Sequence, residues 1–162
     1  MKRKKLTILI LFLLLLLAGT LYSYPRSMDS LLNADDTLFI VYHEDIFSSQ
    51  GPVMKSATYE IATSSDTYAQ MKDLFSKYKF FRYPRTLIKS NGIRYGERSK
   101  NYSFSITAPH TDDWNHITFG GDGRVLIDDR LYRMDLWGND TQTKLMEELK
   151  SIIDGLEPTS RG

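Results

Sequence analysis

Tyr102-Ser-Phe-Ser-Ile-Thr107 alternates large apolar residues with small polar ones and predicts the strand on which the fold is built. Tyr102, Phe104 and Ile106 share one side of this strand, because successive side chains of a strand point to opposite faces. The serines and the threonine share the other side. We therefore expect one face of the sheet to be in the core and the other to be open.

Short strands separated by turn sequences follow this stretch. Asn115–Phe119 leads into the turn Gly120-Gly-Asp-Gly123. The next pair, Arg124–Ile127 and Arg130–Met134, is joined by Asp128-Asp129. Strands joined by such tight turns are typical of an antiparallel meander.

The preceding half of the chain predicts three more strands. Thr37–His43 is apolar and β-branched, which favours a buried strand. Ala57–Thr63 alternates in polarity, and Ile93–Glu97 follows the turn Asn91-Gly92.

Two helices are predicted from capping residues and apolar stripes. Ser64-Ser65-Asp66 can cap a helix that runs to about Phe80, and Asn139 or Asp140 can cap a closing helix. The stripes recur at three- and four-residue intervals and consist of Tyr68, Met71, Leu74, Phe75 and Tyr78 in the first helix and Leu145, Leu149, Ile152, Ile153 and Leu156 in the second. Together the elements predict an α+β fold, an antiparallel sheet of five to six strands with both helices on one face.

The amino-terminal segment, residues 1–24, has the pattern of an export signal. Lys2-Arg-Lys-Lys5 precedes Leu6–Ala18, thirteen residues that contain no charge. Extension to Tyr22 gives seventeen residues, at the lower end of the range for a spanning helix. Two interpretations stay open: a signal peptide cleaved after Ala18-Gly-Thr20, which releases a secreted protein, or a retained signal-anchor helix. In either case the cations stay on the cytoplasmic side, and the remainder lies outside the cell.

The rest of the chain divides into a polar spacer at 25–36, a single domain at 37–157 and a short tail at 158–162. The chain has no cysteine, so the exported domain relies on its hydrophobic core instead of disulfides.

The order of strands and capped helices, with Gly121-Asp-Gly-Arg-Val-Leu-Ile-Asp-Asp-Arg-Leu-Tyr132 in the meander, resembles small exported proteins of Gram-positive bacteria that carry uncharacterised domains. The resemblance covers residues 37–156 and is one of pattern. It implies an extracytoplasmic domain tethered to the membrane or to lipid, and it implies no catalytic residues.

A basic stretch is the strongest candidate for a contact surface. Residues 77–100 contain eight cations and one acid, a net charge of 8 − 1 = +7. Such a charge asymmetry attracts anions, here anionic lipid or an anionic wall polymer, since the export signal disfavours nucleic acid as a partner. The anion-binding residues we predict are Arg82, Arg85, Lys89 and Arg94. The alternative is that these cations pair with acids elsewhere on the surface.

The sequence contains no familiar catalytic constellation, and we predict a non-enzymatic binding domain with no cofactor, metal ligand or catalytic residue. Its partner is a membrane component or another protein. An alternative function is a metal-assisted hydrolase that uses His110, Asp112 and His116, although Pro109 and Asp112-Asp113 also describe a plain turn. His43-Glu44-Asp45 suggests acid–base groups or a solvated strand end. The aromatic residues between Tyr78 and Tyr102 suggest core positions or a groove.

Overall fold

The computed structural model describes residues 2–22, 24–48, 51–82, 102–110, 113–120, 124–135 and 140–161. These residues form three α-helices: α1 (Lys2–Tyr22), α2 (Asp66–Ser76) and α3 (Asp140–Ile153). They also form a short 3₁₀ helix (Asp29–Leu32) and the strands β1 (Arg26–Ser27), β2 (Thr37–Ser48), β3 (Gly51–Ala62), β4 (Lys79–Phe80), β5 (Tyr102–His110), β6 (Asp113–Phe119), β7 (Arg124–Ile127), β8 (Arg130–Arg133) and β9 (Ser160–Arg161). The predicted α+β class is confirmed.

The large sheet is antiparallel throughout and has the order β8-β7-β6-β5-β2-β3-β9. The alternating stretch that begins at Tyr102 is therefore its middle strand. The part of the chain described contributes seven strands to this sheet, more than the five to six predicted, and β1 and β4 form a separate two-stranded ribbon. One of the seven is β9, which comes from the predicted tail and pairs with Ala57 and Thr58. The predicted strand at Ile93–Glu97 lies outside the described residues.

The hydrophobic core lies between one face of the sheet and the two helices α2 and α3. Leu38, Ile40, Phe104 and Ile106 project from that face and are completely buried. The helices contribute Met71, Leu74, Phe75, Leu145, Met146, Leu149 and Ile153 to the same apolar cluster. Both helices therefore cover one face of the sheet, as predicted.

The helix ends differ in part from the predictions. The Ser65 hydroxyl accepts a hydrogen bond from the Tyr68 backbone N–H at 3.2 Å and caps α2, as expected. The helix ends at Ser76 instead of continuing to about Phe80, because Tyr78 accepts a backbone hydrogen bond from Met28 and the residues after it pair with β1. At the start of α3, Asp135 accepts from the Thr141 backbone N–H at 2.9 Å and also bonds the Thr141 hydroxyl.

Residues 25–36 are part of the folded domain and not the polar spacer that their composition predicted. Met28 and Leu32 are completely buried in the core. The Leu32 carbonyl also accepts a hydrogen bond from the Tyr68 hydroxyl at 2.8 Å. These two apolar side chains are enough to attach the polar segment to the domain, because burial of each one removes a large apolar area from water.

Helix α1 exposes its apolar side chains on every side. Those of Leu6 through Leu17, and that of Leu21, are solvent-exposed. Near its end, the Arg82 guanidinium lies 5.8 Å from the centre of the Tyr22 ring. No helix formed by the described residues meets the length and apolarity needed to cross a membrane.

The β7–β8 turn holds two aspartates in an unfavourable backbone conformation. Asp128 and Asp129 have φ angles of 47° and 62°. Two-residue hairpin turns favour glycine or asparagine at such positions, since side chains other than glycine crowd the backbone there. Asp128 has a compensating role, because its carboxylate accepts from the His116 backbone N–H at 2.8 Å.

We expect the Leu32→Ala substitution to lower the free energy of unfolding by about 3 kcal/mol, because it leaves a cavity in the core. Chemical denaturation measures the change. The control is Ser30→Ala, which alters an exposed residue of the same 3₁₀ helix. Equal stabilities of the two variants would mean that residues 25–36 are a spacer after all.

We expect Asp129→Gly to raise the free energy of unfolding by about 0.5 to 1 kcal/mol, because glycine adopts a positive φ without steric cost. Asp128→Gly should raise the free energy of unfolding by less, since this variant also loses the hydrogen bond to His116. Thermal unfolding of both variants provides the comparison, and a larger gain from Asp128→Gly would contradict this account of the turn.

Candidate binding groove

An open groove lies where the helical layer ends and the β2–β3 hairpin continues. Its volume is about 540 Å³. The residues that line it come from the two strands, from the end of α3 and from the segment that leads to β9: Tyr42, Glu44, Lys55, Ser56, Ala57, Tyr59, Ile153, Asp154, Leu156, Pro158 and Arg161. A smaller cavity of about 170 Å³ lies farther along β3 and shares Tyr59 and Leu156 with the groove.

The floor of the groove is set by the register of the sheet. Tyr42 lies opposite Ala57, and Ala57 lies opposite Arg161 at the sheet edge. Cross-strand partners point to the same face, so these three side chains form one row. Because alanine is small, the row is low at its centre, between the aromatic ring and the guanidinium.

A second row lies beside the first and carries opposite charges. Glu44 is the cross-strand partner of Lys55 on one side and of Tyr102 on the other. The two cations, Lys55 and Arg161, therefore belong to the outer strands, and the carboxylate of Glu44 belongs to the inner one. A ligand in the groove meets positive charge near the sheet edge and negative charge toward the centre.

Tyr42 is the central side chain of the groove. Its ring lies 5.9 Å from that of Tyr102 and 5.2 Å from that of Phe104, centre to centre. Its hydroxyl is buried and makes no hydrogen bond of good geometry within the described parts of the chain, although the Glu44 carboxylate lies close enough to act as an acceptor. Burial, followed by the negative charge of Glu44 and its action as an acceptor, raises the pKa of Tyr42 well above its ordinary value. At neutral pH the hydroxyl is therefore a proton donor whose acceptor, Glu44, is poorly placed.

The helical wall of the groove is fixed by an ion pair. The Lys150 ammonium lies 2.7 Å from both carboxylate oxygens of Asp154, one turn farther along α3. The same ammonium lies 5.6 Å from the centre of the Tyr42 ring, within the range of a cation–π contact. Lys150 thus holds the helix end against the tyrosine.

Among the predicted anion-binding residues, the structure describes Arg82, which follows β4 and is stacked near Tyr22. Arg85, Lys89 and Arg94 lie outside the described residues. The groove itself was not foreseen in the sequence, where Glu44 was the one lining residue singled out as a candidate acid–base group, as part of His43-Glu44-Asp45.

The residues of the alternative metal site are not brought together. His110 lies on the same face of β5 as Ile106, which is the core face. Its Nδ1 lies 2.9 Å from the Asp35 carboxylate. His116 lies opposite Thr107 on the other face, and its Nδ1 is 3.0 Å from that hydroxyl. Asp112 lies outside the described residues. Within the described ranges, no group of three His, Asp or Glu side chains could hold a metal ion.

The remaining candidates are divided between the faces of the sheet. His43, Glu44 and Asp45 lie within β2, not at its end, since the strand continues to Ser48. Glu44 faces the groove, whereas the adjacent His43 points to the opposite face, where its Nδ1 is buried with no hydrogen bond to a described residue. Of the aromatic side chains, Phe80 is a core residue that contacts Tyr132 edge-on.

Comparison with known proteins identified no relative: no family model, no curated protein and no solved structure matches this chain.

Two tyrosine-to-phenylalanine substitutions should change stability in opposite directions. Tyr42→Phe removes a buried hydroxyl that makes no well-formed hydrogen bond, and we expect the free energy of unfolding at pH 7 to rise by up to about 1 kcal/mol. Tyr78→Phe is the matched control. Its hydroxyl donates to Glu148 at 3.0 Å, so its loss should cost about 1 kcal/mol. Denaturant titrations measure both, and a clear loss of stability in Tyr42→Phe would mean that its hydroxyl has a partner.

The loss of stability at high pH provides a second measurement on the same two variants. Burial and the hydrogen bond to Glu148 raise the pKa of Tyr78 to about 12, so folding favours the neutral phenol. That contribution is complete below the unfolded pKa of about 10 and disappears as the pH rises through 12. Each variant should therefore lose less stability than the parent protein above pH 10.

Proposed function

We propose that this protein is an exported, non-enzymatic binding domain that works outside the cell and takes a ligand in the groove around Tyr42. The amino-terminal helix α1 inserts into the lipid bilayer during export, and the domain is then held at the outer membrane surface or released by cleavage. The observation that carries the proposal is the groove, which combines a tyrosine floor with a buried hydroxyl whose neighbouring acceptor, the Glu44 carboxylate, is poorly placed for a hydrogen bond.

The character of α1 supports delivery to a membrane. Its side chains from Leu6 to Leu21 are exposed, and nearly all of them are apolar on every side of the helix. A helix that is apolar all round is stable in a protein core or in lipid, since water disfavours such a surface. The four cations before it orient the segment, so that the domain is on the opposite side of the bilayer. An apolar run of seventeen residues suits a signal helix, whether cleaved or retained.

The groove has the properties of a recognition site. Its volume of about 540 Å³ lies within the range of small-ligand sites, and aromatic surface alternates with a few charged groups. Its polar groups are suited to binding more than to reaction. The raised pKa keeps the Tyr42 hydroxyl neutral, and Asp154 is engaged by Lys150. An acceptor oxygen on the ligand would satisfy the hydroxyl, with its charge balanced by Lys55 and Arg161.

Binding of another protein along the outer edge of β3 is the second candidate. Strand β9 pairs with only two of the twelve residues of β3. The side chains of Val53 and Met54, near the start of β3, are 51% and 59% exposed. An open strand edge with exposed apolar side chains is a surface to which an extended segment of a partner can add.

Export is tested with a carboxy-terminal epitope tag in bacterial cells. We expect added protease to remove the tag from protoplasts, because the domain lies outside. Leu13→Asp combined with Leu14→Asp should leave the tag protected, since two carboxylates in the apolar run oppose insertion. The control is the same pair changed to isoleucine. The intact mass shows whether cleavage follows Thr20, and a full-length parent protein protected in the cytosol would overturn the proposal.

Groove binding is tested with a fragment set of small carboxylates, amides and amines, screened by ligand-observed NMR on the full-length chain in detergent micelles. We expect fragments that bind the parent protein to bind the Ala57→Leu variant at least tenfold more weakly, because the larger side chain fills the low centre of the floor. Ala69→Leu, an exposed position on α2, is the matched control. Fragments that bind Ala57→Leu as well as the parent protein, or no bound fragment at all, would rule out the groove as the site.

A further inference from the structure

The end of helix α1 is joined directly to a basic part of the domain. Strand β1 begins at Arg26, shortly after Tyr22 ends the helix, and it pairs with β4 so that Arg26 lies opposite Phe80 and Ser27 opposite Lys79. Arg82 follows β4, and its guanidinium lies 5.8 Å from the centre of the Tyr22 ring. Three cations, Arg26, Lys79 and Arg82, are thus attached to one short ribbon at the end of an apolar helix.

The geometry of Arg82 leaves it able to bind an anion. A guanidinium in cation–π contact with an aromatic ring still presents N–H groups that match the oxygens of a phosphate. Within the part of the chain that the structure describes, Arg82 forms no ion pair with an acidic side chain. Arg26 and Lys79 are exposed, and they likewise form no ion pair with an acidic side chain among the described residues. The Tyr22 hydroxyl is buried and makes no hydrogen bond to the described residues.

We propose that Arg82, in cation–π contact with Tyr22 and assisted by Arg26 and Lys79, binds the phosphate of an anionic phospholipid headgroup. This inference rests on the proposed insertion of α1 into the bilayer. With the apolar helix in the hydrocarbon region, its last residues and the ribbon lie at the headgroup level, where tyrosine and arginine are favoured. Tyr24, 69% exposed, adds a second aromatic ring at the same end.

The position of these cations is what identifies lipid as the ligand. A phosphate-binding arginine elsewhere on the domain would have no defined source of phosphate. Here the guanidinium lies beside the last residue of the helix proposed to enter the membrane, so the nearest anions are those of the outer leaflet. Basic groups in this position strengthen binding to an anionic surface by about fivefold each, and the effect is screened by salt.

The test measures partition of the purified full-length protein, added from dilute detergent, into two kinds of vesicle. One kind is pure phosphatidylcholine and the other contains one third phosphatidylglycerol. We expect the parent protein to prefer the anionic vesicles, and this preference to fall about fivefold in Arg82→Gln and in Arg26→Gln. Lys144→Gln, an exposed cation on α3, is the matched control and should keep the full preference. Raising the salt concentration should remove the difference between the arginine variants and the parent protein.

Each outcome decides a different point. Equal partition of all four proteins into both kinds of vesicle would overturn the headgroup contact and leave insertion of α1 intact. Failure to bind either vesicle would overturn the membrane placement and the contact together. A loss in Lys144→Gln equal to that in Arg82→Gln would show a general charge effect without a site. Should Arg82→Gln unfold, as thermal unfolding would show, Arg26→Gln still decides the question, because its exposed side chain has no role in the core.

Discussion

Burial of one face of a single antiparallel sheet under two helices is the constraint on which the rest of this structure depends. Phe104 and Ile106 on the middle strand and Leu38 and Ile40 on its neighbour are completely buried beneath α2 and α3. The helices are shorter than the strands that they cover, because α3 ends at Ile153 whereas the hairpin of β2 and β3 extends farther. Where the helical layer ends, the same face of the sheet must meet solvent, and its side chains change from aliphatic to tyrosine and charged residues. The groove is the physical consequence of that mismatch in length.

A buried hydroxyl whose acceptor is poorly placed is a cost that a purely structural core would avoid. Phenylalanine in place of Tyr42 would keep the ring contacts with Tyr102 and Phe104 and remove the unsatisfied group. Local departures from good packing rules are concentrated at functional sites, where the cost is offset on binding. Tyr42 therefore supports recognition more strongly than the size of the groove does. On the adjoining wall, Asp154 is already engaged by Lys150, a partly exposed pair one helical turn apart.

Sequence periodicity predicted the parts of this fold that depend on local chemistry. The alternation from Tyr102 to Thr107, the Ser65 cap and the apolar stripes all correspond to observed elements. The failures concern residues whose structure is decided by distant partners. Met28 and Leu32 stand in a polar segment, and only the position of α2 shows that they complete the core. The groove has the same origin, because the proximity of Tyr42 to Lys150 depends on the tertiary placement of α3, which no local pattern encodes.

The absence of a spacer also restricts where the groove can work. Strand β1 begins at Arg26, four peptide units after Tyr22, and a fully extended chain of that length reaches no more than about 14 Å. Met28 then donates a backbone hydrogen bond to Tyr78, which fixes the segment to the end of α2. A domain on a long polar linker could sample a large volume around its anchor. If α1 is retained in the bilayer, as one form of the proposal has it, this domain would instead be held against the membrane surface, and a ligand that reaches the groove would have to lie near that surface.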